Sequence, residues 1–507
     1  MFDAFQIVMP VERLLSQIGF GHAERNQAER AETAPVQSET LSIPVIVGIC
    51  QAGDAMLLMI AGAIAWAFMA RVGAALPAGM ITVVTFVGAS LAAAVLQYRG
   101  VYRMVGLLAP KTQVAANALA MLSGVAAIAV CLSLLGVRPI AAVAEPVVWG
   151  VVGAAALAAF RFGVGIPLRH LQRCGRLARR IAIVGVNDFS RSFIEQARQD
   201  PSVTVVGLYD DRMTRLPPVV GGVSICGTVA DLLAHSRQRP IDAIVVAMPL
   251  SAPDRIADMQ RQLASAVADV YVTTDVAGLR YPGAQFTSLG CNSVVRVGSR
   301  PMKDWAAVQK TVFDRVVSLA LLAPLLPFLV IIGLIIRLDS RGPALVRQQR
   351  HGFNNRLFTM FKFRTMHVHG RRPGDEAVQA TRSDPRITRV GGILRRLSLD
   401  ELPQLLNVLL GDMSLVGPRP HLPATRAGER LFHDVVPEYD TRHRVKPGIT
   451  GWAQIHGLRG ETRTEAQIEQ RVTYDLYYIS HWSMRLDLRI LFKTFLNEIV
   501  SRSGNAY

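Results

Sequence analysis

The chain has 507 residues, half of them hydrophobic, and combines a mean hydropathy of +0.29 with a formal net charge of +17. That length exceeds one ordinary domain, and soluble domains rarely join such apolarity to such basicity. An integral membrane protein with a basic cytosolic face does so, because basic residues gather inside and meet anionic headgroups. Nucleic acid, the other common partner of a basic protein, is not expected, since the basic residues are spread along the chain and form no binding motif.

Residues 1–42 follow a short amphipathic start with a polar Ala/Glu/Arg-rich stretch, expected to be a cytosolic segment without a cleavable signal. Four apolar runs come next, at about 43–70, 75–97, 114–136 and 141–168. Each approximates the ~20 residues that a helical span requires, which predicts a four-helix transmembrane bundle over 43–170. Arg99, Arg103 and Lys111 lie between the second and third runs, and Arg169, Arg173, Arg176, Arg179 and Arg180 follow the fourth. The other two loops carry only Arg71 and Arg138, so the positive-inside rule puts both ends of the bundle in the cytosol. Asp54, inside the first run, is either functional or a polar helix contact. Cys50, Cys131, Cys174, Cys226 and Cys291 are far apart and form no metal or disulfide pattern.

Residues 175–300 change character. "RRIAIVGVNDFSRSFIEQA" reads as strand, turn and helix, and "VTVVGLYDD", "IDAIVVAMP" and "VADVYVTTD" read as further strands. That alternation predicts a parallel α/β sheet of Rossmann type. A dinucleotide site asks for GxGxxG after the first strand; the three positions hold Gly185, Asn187 and Ser190, so the fingerprint is degenerate.

The remaining residues, 301–507, open on an apolar segment long enough to cross a bilayer, at about 316–336. Basic residues flank it on both sides (Lys303, Lys310 and Arg315; Arg337, Arg341, Arg347 and Arg350), and Pro324 and Pro327 interrupt its middle. A kinked hairpin at about 311–337 that enters one leaflet and returns accommodates both facts; an ordinary kinked span is the alternative. Further on, "SLDELPQLLNVLLGDMSLVGPRP" sets Asp400 and Glu401 before a helical pattern of Leu402, Leu405, Leu406, Leu409 and Leu410 that stops at Gly411. Pro403 fits only a first turn, so the helix is expected to begin near Asp400 with both acids at its positive end.

Acids at that position commonly cap the helix and offset its dipole. Here Lys362, Arg364, Arg395, Arg396 and Arg419 are clustered near them in sequence. An acid pair among cations, with no His or Cys constellation, suits phosphate chemistry. Carboxylates hold Mg²⁺, guanidinium groups grip phosphate oxygens in pairs, and a carboxylate can itself attack phosphorus.

Residues 301–507 resemble the polyprenyl-phosphate hexose-1-phosphate transferases, the bacterial phosphoglycosyl transferases with one re-entrant membrane helix. The resemblance lies in "KTVFDRVVS", "DSRGPALVRQQRHG", "FKFRTM", "LRRLSLDELPQLLNVLLGDMSLVGPRP", "RVKPGITGWAQIHGLRGET" and "YDLYYISHWS…LDLRIL". The four spans and the degenerate Rossmann-like (CoA-binding-like) domain extend it to the long form of the family, and the tail resembles its undecaprenyl-phosphate glucose branch.

The resemblance implies a membrane protein of mixed class: a four-helix bundle, a Rossmann-like α/β domain and an α-rich catalytic domain with the re-entrant helix. It implies a multi-pass protein of the bacterial inner membrane with both domains cytosolic, initiating exopolysaccharide or capsule synthesis. Asp400 would attack the β-phosphate of a UDP-sugar, UDP-glucose favoured, release UMP, and pass the sugar phosphate to undecaprenyl phosphate. Glu401 would hold Mg²⁺; Lys362, Arg364, Arg395 and Arg419 would handle phosphates, and Asp475 would be a further site acid. Leu326 stands where the family commonly has Ser before the hairpin proline, and His456 where Asn is frequent. A homodimer, the particular sugar, and a nucleotide on the Rossmann-like domain stay open. Two other classes compete: a membrane-tethered sugar-nucleotide oxidoreductase or epimerase, which would need a working GxGxxG, and a lipid transporter, which would leave the acid pair idle.

Overall fold

The computed structural model describes residues 42–73, 76–200, 202–212, 217–248, 253–273, 285–289, 292–367, 385–422, 426–427, 430–460 and 464–500. The polar segment expected over 1–42 lies outside these apart from Ser42. Two compact units meet in sequence at Arg179 and Arg180.

In the first unit, α1 (Ile43–Arg71), α2 (Ala78–Tyr98), α3 (Val114–Leu134) and α4 (Pro139–Arg173) are each long and apolar enough to cross a membrane. Helix α1 packs on α2 and α4, and α3 on the same two. Their core includes Leu58, Leu96, Leu132, Trp149 and Leu157, while Met56, Phe68, Phe86 and Leu122 point outward. Such apolar outer faces are what lipid replaces water for. Small residues let the helices approach closely: a Cβ on Gly124 would meet the Gly88 carbonyl at 3.0 Å. Asp54 is buried and paired with Arg161, and it accepts from the Tyr102 hydroxyl at 2.8 Å. Arg161 Nη1 in turn donates to Gln113 Oε1 at 2.6 Å, so Asp54 belongs to a buried polar cluster that ties α1, α4 and the 99–113 connection together.

The second unit begins with a sheet whose strands are β1 (Arg179–Val184), β2 (Val203–Tyr209), β3 (Val219–Val220), β4 (Val223–Gly227), β5 (Ala243–Val246), β6 (Asp269–Thr273), β7 (Gln285–Leu289) and β8 (Asn292–Gly298). Their order is β3-β4-β2-β1-β5-β6-β8-β7. β1–β5, β5–β6 and β2–β4 pair in parallel. Helices α5 (Asp188–Gln199), α6 (Val229–Gln238) and α7 (Pro253–Gln262) alternate with the strands, and β1 and β5 are buried almost throughout. The sheet is not wholly parallel as the sequence pattern suggests: β8 runs antiparallel to both β6 and β7. The two-residue connection between β7 and β8 permits only an antiparallel pair.

The rest of this unit is built on α8 (Trp305–Asp339), the β9 (Leu345–His351) and β10 (Leu357–Phe363) hairpin, α9 (Arg389–Arg396), α10 (Gln404–Leu410), β11 (Ser414–Val416) paired in parallel with β12 (Gly448–Thr450), α11 (Glu465–Ser480) and α12 (Met484–Val500). Helix α8 runs unbroken through Pro324 and Pro327. Lys310, Asp314, Ser318 and Leu322 are buried before the prolines, and Leu329, Ile332 and Ile336 after them. Between those stripes Leu326 and Phe328 are exposed. Both halves pack on the same body: Ser318 Oγ donates to the Leu405 carbonyl at 2.8 Å, and Leu322, Leu329, Ile332 and Ile336 share a core with Phe363, Leu394 and Leu405.

Candidate active site

The acid pair is held by local backbone geometry. Ser398 adopts a left-handed conformation (φ 54°) and opens a 3₁₀ turn over Leu399–Glu401. Pro403, lacking an N–H, then leads into α10, which ends at Gly411 with φ 98°. The α-helix therefore starts at Gln404, one turn later than the apolar spacing suggests. Asp400 and Glu401 stand on the tighter turn ahead of it, and neither acts as its N-cap.

Glu401 is clamped. Lys362 Nζ, near the end of β10, donates to Oε1 at 3.0 Å, and Arg419 Nη2 donates to the same oxygen at 2.6 Å. Arg419 Nη1 reaches Oε2 at 3.3 Å. Burial would raise the Glu401 pKa, but Arg419 and Lys362 overcome it and hold the carboxyl well below its ordinary value. Asp400 is the opposite case. Among the described residues its carboxylate accepts no hydrogen bond, and burial followed by the Glu401 charge pushes its pKa up against Lys362, Arg395 and Arg419. One carboxylate is fixed and ionised beside another that is unencumbered.

Two prolines and a close backbone crossing aim Arg419. Gly417 N–H donates to the Thr450 carbonyl and Gly448 N–H to the Pro418 carbonyl, both at 2.9 Å. A Cβ on Gly417 would come within 2.5 Å of the Lys446 carbonyl. The Arg419 carbonyl accepts from Arg442 Nη2 at 2.9 Å, and that nitrogen also lies 2.6 Å from Asp475 Oδ2. Asp475 thus stands behind Arg419, holding a wholly buried guanidinium. His421 joins this inner layer, with ring nitrogens 2.6 Å from Arg442 Nη1 and 3.2 Å from Arg471 Nη1. Burial and those two cations keep the imidazole neutral, its pKa well below the usual value.

Of the other residues singled out in the sequence, Arg395 bears on Asp400 electrostatically while its Nε donates to Thr365 Oγ1 at 2.9 Å. Arg364 does not join the carboxylates. It is buried at the end of α8, donating to the carbonyls of Ile336, Ser340 and Arg341 at 3.3, 2.6 and 2.9 Å, so it fastens the chain where it leaves the helix. Three further residues carry no periodic signal in the sequence. Arg350 on β9 lies close enough to Arg419 and Glu401 to feel both, and burial, then Arg419, push its pKa down to about 10. Asn407 accepts from Phe361 N–H at 2.9 Å and donates to the Thr359 carbonyl at 2.7 Å, so its amide pins the strand that carries Lys362. Arg459 Nη2 donates to Ser398 Oγ at 2.9 Å beside the pair.

Lys362, Arg350, Arg395 and Arg419 thus act on two carboxylates. This excess of positive charge suits an anionic group with several oxygens. No cluster of three or more metal-binding side chains occurs among the described residues. Mg²⁺ needs fewer, because one or two carboxylates and substrate phosphates suffice. Glu401 Oε2, with its single long hydrogen bond, fits that requirement.

Five helices long and apolar enough to cross a bilayer, an α/β domain, and an acid pair ringed by cations fit a membrane protein whose site suits an anionic substrate. Residues 305–501 match the family model described as bacterial sugar transferase, and residues 99–273 match that of a CoA-binding domain. The chain belongs to the bacterial sugar transferase family. It is 44% identical over 332 residues to an undecaprenyl-phosphate glucose phosphotransferase of Komagataeibacter xylinus, a match covering 65% of this chain and 60% of that protein. A UDP-glucose:undecaprenyl-phosphate glucose-1-phosphate transferase of Escherichia coli K12 is 36% identical, with 68% and 72% covered. The exopolysaccharide production protein PSS of Rhizobium leguminosarum bv. phaseoli is 48% identical over 202 residues, with 39% and 98% covered.

Proposed function

We propose that this protein transfers glucose 1-phosphate from UDP-glucose to undecaprenyl phosphate, releasing UMP, as the first step of exopolysaccharide or capsule synthesis. The observation that carries the mechanism is the unequal acid pair: Glu401 is immobilised by Lys362 and Arg419, whereas Asp400 is uncommitted.

An Asp400 carboxylate oxygen attacks the β-phosphorus of UDP-glucose. The bond from that phosphorus to the bridging oxygen breaks, and UMP leaves with the bridging oxygen. An oxygen of undecaprenyl phosphate then attacks the same phosphorus, the Asp400–phosphorus bond breaks, and the free carboxylate is restored. Lys362, Arg350, Arg395 and Arg419 offset the repulsion between an anionic nucleophile and an anionic diphosphate, which is the main catalytic requirement of phosphoryl transfer. Arg442, held by Asp475, fixes the Arg419 backbone during both steps. Glu401 Oε2 would hold Mg²⁺ together with substrate phosphate oxygens, and the ion would supply further charge neutralisation there.

The lipid substrate asks for a site at headgroup depth. Helix α8, as a re-entrant element in the cytosolic leaflet of the inner membrane, meets that need. Its support is that residues on both sides of Pro324 and Pro327 pack against one polar domain, while an apolar face that includes Leu319, Leu326, Phe328, Ile331 and Leu334 stays exposed along the helix. The four helices of the other unit are the spanning bundle, and the catalytic and Rossmann-like domains are cytosolic.

The activities named for the relatives favour glucose. UMP release from a panel of UDP-sugars, with undecaprenyl phosphate and Mg²⁺, tests the reading for wild type and Asp400→Asn. UMP from UDP-glucose in wild type and none in the variant is expected; UDP as product, or an active variant, refutes it.

A further inference from the structure

The carboxyl end of α6, in the Rossmann-like domain, is held by side chains of the catalytic domain. Asn354 Nδ2 donates to the Ser236 carbonyl at 2.8 Å, Arg356 Nε to the Arg237 carbonyl, and Arg356 Nη2 to the Gln238 carbonyl at 3.2 Å. A helix leaves its last carbonyls without internal partners and carries partial negative charge there. A guanidinium and an amide are therefore well matched to that end. Asn354 and Asn355 both take left-handed φ values (56° and 58°), which side chains other than Gly adopt uncommonly. The turn is thus shaped to present Asn354 and Arg356 to the helix.

The contacts lead inward along two routes. Asn354 and Arg356 form the tip of the β9–β10 hairpin, and the register pairs Phe358 with Arg350 and Lys362 with Val346. Alternation along each strand therefore sets Arg350 and Lys362 on one face. That hairpin delivers two of the cations acting on Glu401. The second route starts from Arg237 on α6, which pairs with Asp440 at 3.4 Å. Asp440 lies in the Tyr439–Arg444 turn, which supplies Arg442, and Arg442 holds the Arg419 carbonyl. One helix end thus fastens both the strand behind Lys362 and the turn behind Arg419. The linker adds a third fixing, with Arg444 Nη2 donating to the Ser299 carbonyl at 2.6 Å and Lys303 paired with Asp269 at 3.3 Å.

We propose that Arg356 and Asp440 are positioning residues through which the Rossmann-like domain sets the spacing of Lys362 and Arg419 about Glu401. This rests on the reading of the acid pair as catalytic. In this role the domain needs no bound nucleotide; its docked helix is itself the working part.

The test uses the full-length protein in membranes, with Arg356→Ala, Asp440→Arg, and the swap of Asp440→Arg with Arg237→Asp. Misplacing a catalytic group by about an ångström costs up to about a hundredfold. Arg356→Ala and Asp440→Arg should each lower kcat for UMP release by about tenfold, with KM for UDP-glucose little changed and thermal unfolding near wild type. Amide exchange should quicken over 357–363 in Arg356→Ala and over 417–421 in Asp440→Arg, and the charge swap should return kcat and exchange toward wild type. Unchanged exchange in both single variants, faster exchange with wild-type kcat, or no recovery in the swap would overturn the proposal. If the wild type releases no UMP, the functional reading fails, while the exchange comparison still decides the coupling.

Discussion

Two turns in this protein place polar side chains ahead of a helix, and they end in opposite states. In the Rossmann-like domain Gly185 takes φ 96°, Asn187 Oδ1 accepts from Ser190 N–H at 2.9 Å, and Asn187 Nδ2 donates to the Ala247 carbonyl at 2.8 Å. Asp210 accepts from Val186 N–H at 2.9 Å and pairs with Arg212. The N–H groups of Gly185, Val186, Asn187 and Ser190 and the side chains of Asn187 and Asp210 are engaged internally. In the 398–403 turn, Glu401 is clamped by Lys362 and Arg419, but among the described residues Asp400 beside it accepts no hydrogen bond. Buried polar groups are normally paired, and a half-buried carboxylate free among cations is the reason Asp400 is proposed as the reacting group. The turn at Asn187 has no such free side chain among the residues named.

Asp400→Asn should therefore have the largest effect, removing UMP release by at least about a thousandfold, the scale seen when a nucleophile is deleted. Trapping radiolabelled sugar phosphate on wild type and not on the variant checks the role directly. Arg419→Ala should follow, at about a hundredfold in kcat, since it withdraws charge stabilisation and unclamps Glu401. A variant that raised only KM would reassign Arg419 to ground-state binding.

The two acids also differ in how they answer pH. Burial and the Glu401 charge raise Asp400, so its nucleophilic form is lost as pH falls through a value above the ordinary 3.8. Glu401 is depressed below 4.5, so the stability its clamp contributes is present above that value and lost only as pH falls further, toward its folded-state pKa. The acid limb of kcat should accordingly lie at higher pH than the loss of folded protein. Glu401→Gln should move that limb down, because a neighbouring negative charge is gone. A pH–rate profile alongside far-UV circular dichroism separates the two events; coincident limbs would mean that unfolding, not Asp400, sets activity.

How much of this was legible in the sequence depends on the kind of constraint. The four long apolar helices announce themselves, because a run of about 20 apolar residues has few other uses. Lys362 and Arg419 flank the pair in sequence and meet it in space. Arg364, two residues from Lys362, goes to the end of α8, where the carbonyls of Ser340 and Arg341 satisfy its guanidinium. Asn407 and Arg442 could not be singled out. A buried amide among leucines, or an Arg in a 3₁₀ turn, acquires meaning only when a strand or a loop arrives beside it. The β7–β8 hairpin escaped for a related reason: neither short strand has the uninterrupted β-branched run that made β1 and β5 readable.

Asn407→Ala should lower kcat by roughly tenfold through Lys362. It should also destabilise by about 1–3 kcal/mol, because the Phe361 N–H and the Thr359 carbonyl lose their partner. The smallest effect belongs to the other turn. Asn187→Ala removes a helix cap and the bond to Ala247, which should cost about 1 kcal/mol of stability. Turnover should stay within twofold of wild type, as the turn faces no reacting group. Thermal unfolding and UMP release on one preparation measure both. A large loss of turnover without loss of folded protein would mean that the closed turn communicates with the acid pair, and that its satisfied network is not merely structural.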